Sequence, residues 1–379
     1  MRVQAFSVTQ RALTMAGLAP AMLLGCAVHP MPATTAAQLP PPTYATLLPI
    51  PAAYAGTPAS APAPVPAPES LVAQVDALAR HFDGVVGIAI KSVGDGWTVS
   101  SNGDLKLPQQ SVSKLWVAMT VLDARDRGRL TLDDQLTITK EDFTLFHQPI
   151  AALVRGDKGY TATVGEILKR ALTMSDNTCN DKLLRYVGGP SAVRTFLARH
   201  GITNVRFGPG EKLLQAGTAG LEWKPEFVMG GAFERARARL PQSVRLAAFE
   251  AYVADPPDGA APAGIADALA KLKQGRLLSP DSTEWLIGTM EKSHTGRQRL
   301  RGAVPPGWEF GHKTGTGQDL GARIAGYNDV GILTAPDGKS YTLAVMIGDT
   351  RRPIPARQQL MQAVVAAVVA NHRVESYGG

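Results

Sequence analysis

Cysteine is nearly missing from this 379-residue chain, which has only Cys26 and Cys179. Two cysteines do not make a disulfide framework, and a chain of this length can bury a core without one. Charge of one sign is not concentrated either. The formal net charge is +7, with no basic block and no aromatic-interleaved patch, which argues against a nucleic-acid partner. The seven histidines are scattered, without metal-ligand spacing, so no metal is expected. No phosphate loop or dinucleotide fingerprint opens a helix, because the glycine-rich run GTGQDLG (315–321) falls between two predicted strands. No cofactor is expected. A bilayer-spanning apolar stretch is also lacking; ALTMAGLAPAMLLGC (12–26) is too short.

That short stretch follows Arg2 and Arg11 and reads as an export signal. It ends Leu23-Leu24-Gly25-Cys26, which resembles a bacterial lipobox. A lipidated Cys26 would tie the chain to a membrane surface without spanning it. Ala27 in place of an acidic retention residue points to the periplasmic face of the outer membrane. A plain secretory signal is the alternative. With Cys26 lipidated, Cys179 has no partner and reads as a buried small apolar residue.

Residues 27–68 are rich in Pro and Ala and read as a disordered tether after a signal at 1–26. Composition changes at Glu69, where a catalytic domain over 69–375 begins. SLVAQVDALARHF carries a helical stripe, VVGIAIK and WTVSSN read as strands, and Thr163 with Glu166 has capping-box spacing. From Pro108 to about 281 the pattern is helical. WEFGHKTGT, ARIAGYNDVGILTA and YTLAVMIGD return to strands, and an apolar helix closes the chain. The expected architecture is α+β with two lobes. A five-stranded antiparallel sheet flanked by the terminal helices (about 69–106 and 282–375) faces an all-helical lobe (about 107–281), with a cleft between them.

Three short segments concentrate the chemistry. In QQSVSKLWVAMT, Ser111 and Lys114 stand three apart at a helix start, so they share a face at about 5–6 Å between Cβ atoms. A hydroxyl needs a base to become a nucleophile, and a helix N-terminus offers N–H groups to an oxyanion. TMSDNTCND contains Ser175-Asp176-Asn177, and GHKTGTGQ contains Lys313-Thr314-Gly315. Singly, each has a plain structural reading: an N-cap, a helix cap, an edge-strand lysine before a turn. Together, in this order, they form the S-x-x-K, S-D-N, K-T-G set of serine acyl-transfer enzymes acting on β-lactams.

The chain therefore resembles the class A serine β-lactamases over about residues 70–375. The resemblance implies that Ser111 is the nucleophile and Lys114 its base. Ser175 would pass a proton to the leaving nitrogen, and Asn177 would bind the substrate's side-chain amide. Lys313 and Thr314 would meet the substrate carboxylate, and the Thr316 N–H would join that of Ser111 at the oxyanion. An arginine often shares the carboxylate; Arg323, ten residues beyond Lys313 across a predicted hairpin, is the candidate.

A class A enzyme also needs a group that activates water to release the acyl-enzyme. GPGEKLLQAG places Glu211 in a Gly/Pro-flanked loop 36 residues after Ser175, with Gln215 where the family has asparagine. Glu211 is the expected base and Gln215 the second amide on the water. A segment including LEWKPEF and FERARARLPQ (221–242) is an insertion relative to the family and borders the expected site. His147 falls where the family often has a cleft-edge aromatic; His312 reads as a strand residue. The implied substrates are β-lactam antibiotics, and a monomer is expected. Rival readings are a D,D-peptidase (penicillin-binding protein) acting on cell-wall stem peptides and a non-catalytic lipoprotein that binds β-lactams or muropeptides.

Overall fold

The computed structural model describes residues 65–373. The expected signal, the lipidation site Cys26 and the tether as far as residue 64 lie outside the described residues, as do residues beyond 373.

Helix α1 (Glu69–His81) leads into strands β1 (Val85–Ser92) and β2 (Thr98–Ser101). The helical segment holds α2 (Lys114–Asp126), α3 (Val164–Thr173), α4 (Asn177–Tyr186), α5 (Gly189–Arg199), α6 (Glu211–Thr218), α7 (Ala232–Arg239), α8 (Gln242–Ala254), α9 (Pro262–Lys273) and α10 (Pro280–Glu291). Strands β3 (Glu309–Thr316), β4 (Tyr327–Thr334) and β5 (Ser340–Asp349) follow, and α11 (Ile354–Ala370) ends the fold. The five strands form one antiparallel sheet in the order β2-β1-β5-β4-β3.

Alternation along the strands divides the core. Leu343, Val345 and Ile347 of β5 face α1 and α11, joined by Val86, Ile88 and Ile90 of β1. Ala344 and Met346, with Val330 and Ile332 of β4, face the helical segment. Successive side chains on a strand point to opposite faces, so a sheet covered on both sides is apolar at every position. This is why YTLAVMIGD reads as a run rather than as an alternation. Helix α2 is buried at every residue from Lys114 to Ala124, as befits the central helix of a core. Cys179 lies in the same core, and burial pushes its thiol pKa upward.

The local signals of several elements act as read. The Thr163 hydroxyl accepts from the Glu166 N–H and starts α3. Gly128, at φ 67°, ends α2 with its N–H on the Arg125 carbonyl at 2.8 Å.

Other features depart from the reading. Two short ladders, Gln135–Ile138 with Tyr160–Thr163 and Leu107–Pro108 with Gly259–Ala260, interrupt the segment expected to be helical. ARIAGYNDVGILTA is not one strand. Gly326, at φ 104°, breaks it, and Arg323–Ile324 pairs with Asp319–Leu320 in a separate ladder. Helix α9 packs on the sheet through Ile265 and Leu269, so it covers the sheet rather than standing apart with the helices.

Candidate active site

Ser111 sits in a 3-10 turn (Gln110–Ser113) that runs directly into α2. The turn is held in a costly shape, with Gln110 at φ 53°. Its partners explain how it persists. The Asn328 side-chain amide on β4 donates to the carbonyls of Pro108 (2.7 Å) and Gln109 (3.0 Å). The Gln110 N–H reaches Asp258 Oδ2 at 2.8 Å, and its side-chain amide reaches the Tyr252 hydroxyl at 2.6 Å. Gly315 lets β3 lie against this turn; a Cβ there would stand 2.3 Å from the Gln109 carbonyl oxygen.

Lys114, only 1% exposed, directs Nζ to Ser111 Oγ at 2.8 Å and ion-pairs with Glu211. Glu211 is buried and opens α6, its N–H bound by Asp181 Oδ1 at 3.0 Å. Burial, then the charge of Glu211, raises the Asp181 pKa to about 6. Gln215, one turn along α6, donates to Glu211 Oε2 (3.2 Å) and to Gln110 Oε1 (3.1 Å). Its own oxygen is occupied: Gln318 Nε2 reaches Gln215 Oε1 at 3.0 Å and the Gln215 carbonyl at 2.8 Å. The longer glutamine thus bridges the Ser111 turn and the carboxylate, with Gln318 fixing its orientation.

On the opposite wall, Ser175 takes φ 59° and its hydroxyl accepts from Lys313 Nζ at 2.9 Å. Asp176 caps α4, and the Asn177 amide donates to the Leu145 carbonyl at 2.9 Å. Lys313 is fully buried, and its pKa lies well below the ordinary lysine range because of desolvation, then because of the Lys114 and Arg299 charges. Thr314 Oγ1 is 2.8 Å from Thr295 Oγ1. Ser111, Ser175, Asn177, Gln215, Thr314 and Thr316 line one cavity of about 490 Å³, together with His147 and the exposed ring of Phe146.

Arg323 does not join them. In the observed register Lys313 lies opposite Val330, so the hairpin tip carries Arg323 away from it. There Arg323 pairs with Asp349 at the end of β5 and with Glu250 on α8, and it lies over the Phe249 ring at 4.8 Å. The guanidinium at the expected place is Arg299, from the loop before β3. It donates to the carbonyls of Gly315 (2.9 Å) and Asn328 (2.6 Å) and to Thr316 Oγ1 (2.5 Å), stacks on Tyr327, and lines the cavity. Sequence reasoning missed Arg299 and Gln318. Arg299 is one of three alternating arginines in TGRQRLRG (295–302), and nothing local separates it from its neighbours. His312, read as a strand residue, is a buried one; Nδ1 meets Asp329 at 2.8 Å and Nε2 accepts from Arg301 at 3.3 Å.

Residues 70–372 match the family described as the beta-lactamase enzyme family. The chain belongs to that family. Among its relatives, the extended-spectrum beta-lactamase PER-1 of Pseudomonas aeruginosa is 27% identical over 73% of this chain and 79% of its own length. Beta-lactamase VEB-1, from the same organism, is 23% identical over 78% of this chain and 88% of its own. The crystal structure of a beta-lactamase from Chitinophaga pinensis superposes with a TM-score of 0.63 at 27% identity, covering 79% of this chain and 97% of that one. The TLA-1 extended-spectrum enzyme has the same fold at a TM-score of 0.66 and 24% identity, covering 80% and 98%. The class A assignment and the five-stranded antiparallel fold follow from these matches.

Proposed function

We propose that this class A family member opens β-lactam rings through a Ser111 acyl-enzyme and releases the acid by general-base hydrolysis. The observation that carries this reading is the buried contact chain Ser111–Lys114–Glu211, with Gln215 on the carboxylate. Lys114, having shed its proton to solvent, is an amine 2.8 Å from Ser111 Oγ, ready to take the hydroxyl proton as Oγ attacks the lactam carbonyl, while Glu211 stays a carboxylate for the second half. The backbone N–H groups of Ser111 and Thr316 hold the oxyanion. The proton taken by Lys114 passes through the Ser175 hydroxyl, which Lys313 holds in place, to the ring nitrogen as the C–N bond breaks, leaving Lys114 an amine again. The ring carboxylate is held by Thr314, Lys313 and Arg299. In the second half, Glu211 takes a proton from water, hydroxide attacks the ester carbonyl, and Ser111 Oγ leaves with a proton.

A penicillin-binding protein acylates and stalls; Glu211 against Lys114 and Gln215 favours the hydrolase. Glu211→Ala should keep acylation and slow release about 10²–10⁴-fold. Intact-protein mass spectrometry with a penicillin should show a lasting adduct in Glu211→Ala, a transient one in wild type and none in Ser111→Ala. A wild-type adduct that persists would replace this reading with the peptidase one. No adduct on any variant would leave a binding protein.

We also propose export and anchoring through lipidated Cys26 to the periplasmic face of the outer membrane, on the strength of the Leu-Leu-Gly-Cys sequence. Cys26→Ala should shift the protein out of the membrane fraction. A wild type already free in the periplasm would sink the anchor.

A further inference from the structure

The segment between α6 and α9, which carries the insertion relative to the family pattern, reaches the cleft through Arg237 of α7. Phe233 of α7 is 1% exposed and packs with Leu145, Ala219 and Phe227 in a small core of its own. It also meets Phe146 edge-on, with ring centroids 5.3 Å apart. Phe146 is held at φ 62°, a conformation a bulky residue rarely adopts, and its ring lines the cavity. One helical turn beyond Phe233, on the same face of α7, Arg237 lines the same cavity and donates to the Asp319 carbonyl across it. Helix α7 thus straps one end of the cleft, touching the Phe146 loop on one wall and the segment after β3 on the other.

The end it straps is fixed by the rest of the site. Lys313 and Arg299 mark the place of the ring carboxylate, and Ser111 marks the lactam carbonyl. Asn177, bonded through its side chain to the Leu145 carbonyl and through its N–H to the His147 carbonyl, marks the acylamino side chain. Asp319 lies three residues beyond Thr316, at most about 10 Å along the chain. Phe146 and Arg237 therefore border the acyl side chain, not the ring carboxylate. Only one Arg237 nitrogen is bonded through its side chain among the described residues, and guanidinium carries five donors in a fork suited to carboxylate. The acid lining this end is Asp319, whose carboxylate competes for the same cation.

We infer that α7 forms a subsite for β-lactams carrying a second anionic group on the acyl side chain, with Arg237 binding that anion and Phe146 packing on the adjoining apolar part. The inference rests on the hydrolase reading above and names a substrate class for the same site. Its test uses the purified protein with benzylpenicillin and with its α-carboxy derivative, which differ by the second carboxylate. Arg237→Ala should lower the ratio of kcat/KM for the α-carboxy compound to that for benzylpenicillin by about tenfold or more, the value of one charge-assisted bond, mainly through KM. Arg237→Lys should recover part of the ratio, and Asp319→Asn should raise it. A loss of equal size for both substrates would mean that Arg237 only braces the strap, and an unchanged ratio would mean that it faces no anion; either overturns the subsite while leaving the hydrolase reading intact. Absence of any Ser111 adduct in the wild type overturns both.

Discussion

Arg299 and Arg323 divide between them the roles that the sequence offered to a single arginine. Arg299 is 8% exposed, and its three acceptors, Gly315, Thr316 and Asn328, sit on β3 and β4. Arg299→Ala should raise KM for a monoanionic penicillin more than it lowers kcat, by about tenfold or more, because a carboxylate contact made in ground and transition state alike is lost. Two buried carbonyls also lose a donor, so urea unfolding should show a loss of about 1–3 kcal/mol. Arg323→Ala should leave KM within about twofold of wild type and cost no more than about 1 kcal/mol, as partly exposed ion pairs do. A KM change in Arg323→Ala larger than in Arg299→Ala would reverse the assignment. The two arginines also mark how far residues were legible. Ser111 with Lys114, Ser175 with Asn177, and Lys313 with Thr314 are each encoded within a few positions, and a local motif survives without knowledge of the fold. Which arginine lines the cavity depends on strand register and loop path, which no short spacing specifies. Gln215 was visible at its position, but its partner Gln318 comes from 103 residues away.

At the scale of elements, the strands and capped helices were readable because their signals are local: apolar runs, a Thr163 cap, glycine stops. The helices within the insertion were not, although its place at the border of the site was. FERARARLPQ is too charged to show a core-facing stripe, since α7 buries little beyond Phe233 and finds its apolar neighbours within its own small cluster. Helix α8 explains the misplaced arginine, since Glu250 and Phe249 draw Arg323 outward. The contact between β3 and the Ser111 turn belongs to this scale as well. A Cβ on residue 315 would lie 2.3 Å from the Gln109 carbonyl oxygen, with Val112 Cγ2 3.3 Å away. Gly315→Ala must push β3 off the turn or distort the turn itself. Overpacking of this kind costs about 1–3 kcal/mol. A misplacement of about 1 Å between Ser111 and the Thr316 N–H would slow chemistry on the order of 10²-fold. The variant should therefore remain folded by circular dichroism yet acylate slowly in a stopped-flow assay with a chromogenic cephalosporin. Acylation within about threefold of wild type would show that the turn yields without harm.

At the scale of the whole molecule, the Ser111 turn is where distant parts of the chain meet, and stability is given up there. Asp258 connects them: its Oδ2 takes the Gln110 N–H of the turn and the Tyr252 hydroxyl of α8. Its Oδ1 has no partner among the described residues, and the residue is 1% exposed. Burial raises its carboxyl pKa from 3.8 to about 6. The sign of the consequence follows from linkage. A carboxyl that holds its proton more tightly in the folded than in the unfolded state stabilises the fold while protonated. That contribution is complete below about pH 4 and is lost as pH rises to about 6, after which it stays constant. At 1.36 kcal/mol per pKa unit, the shift from 3.8 to about 6 amounts to about 3 kcal/mol. Asn at this position cannot ionise, so Asp258→Asn removes the pH-dependent part and leaves any packing cost constant. Urea unfolding of both proteins from pH 4 to pH 7 should show the wild type losing up to about 3 kcal/mol relative to the variant, nearly all of it before pH 6.5. Asp181, shifted in the same direction, is present in both proteins and cancels in the difference. A stability difference that stays flat across this range would mean that Asp258 is ionised throughout, and that the turn carrying Ser111 is held by a charge rather than at the expense of burying one.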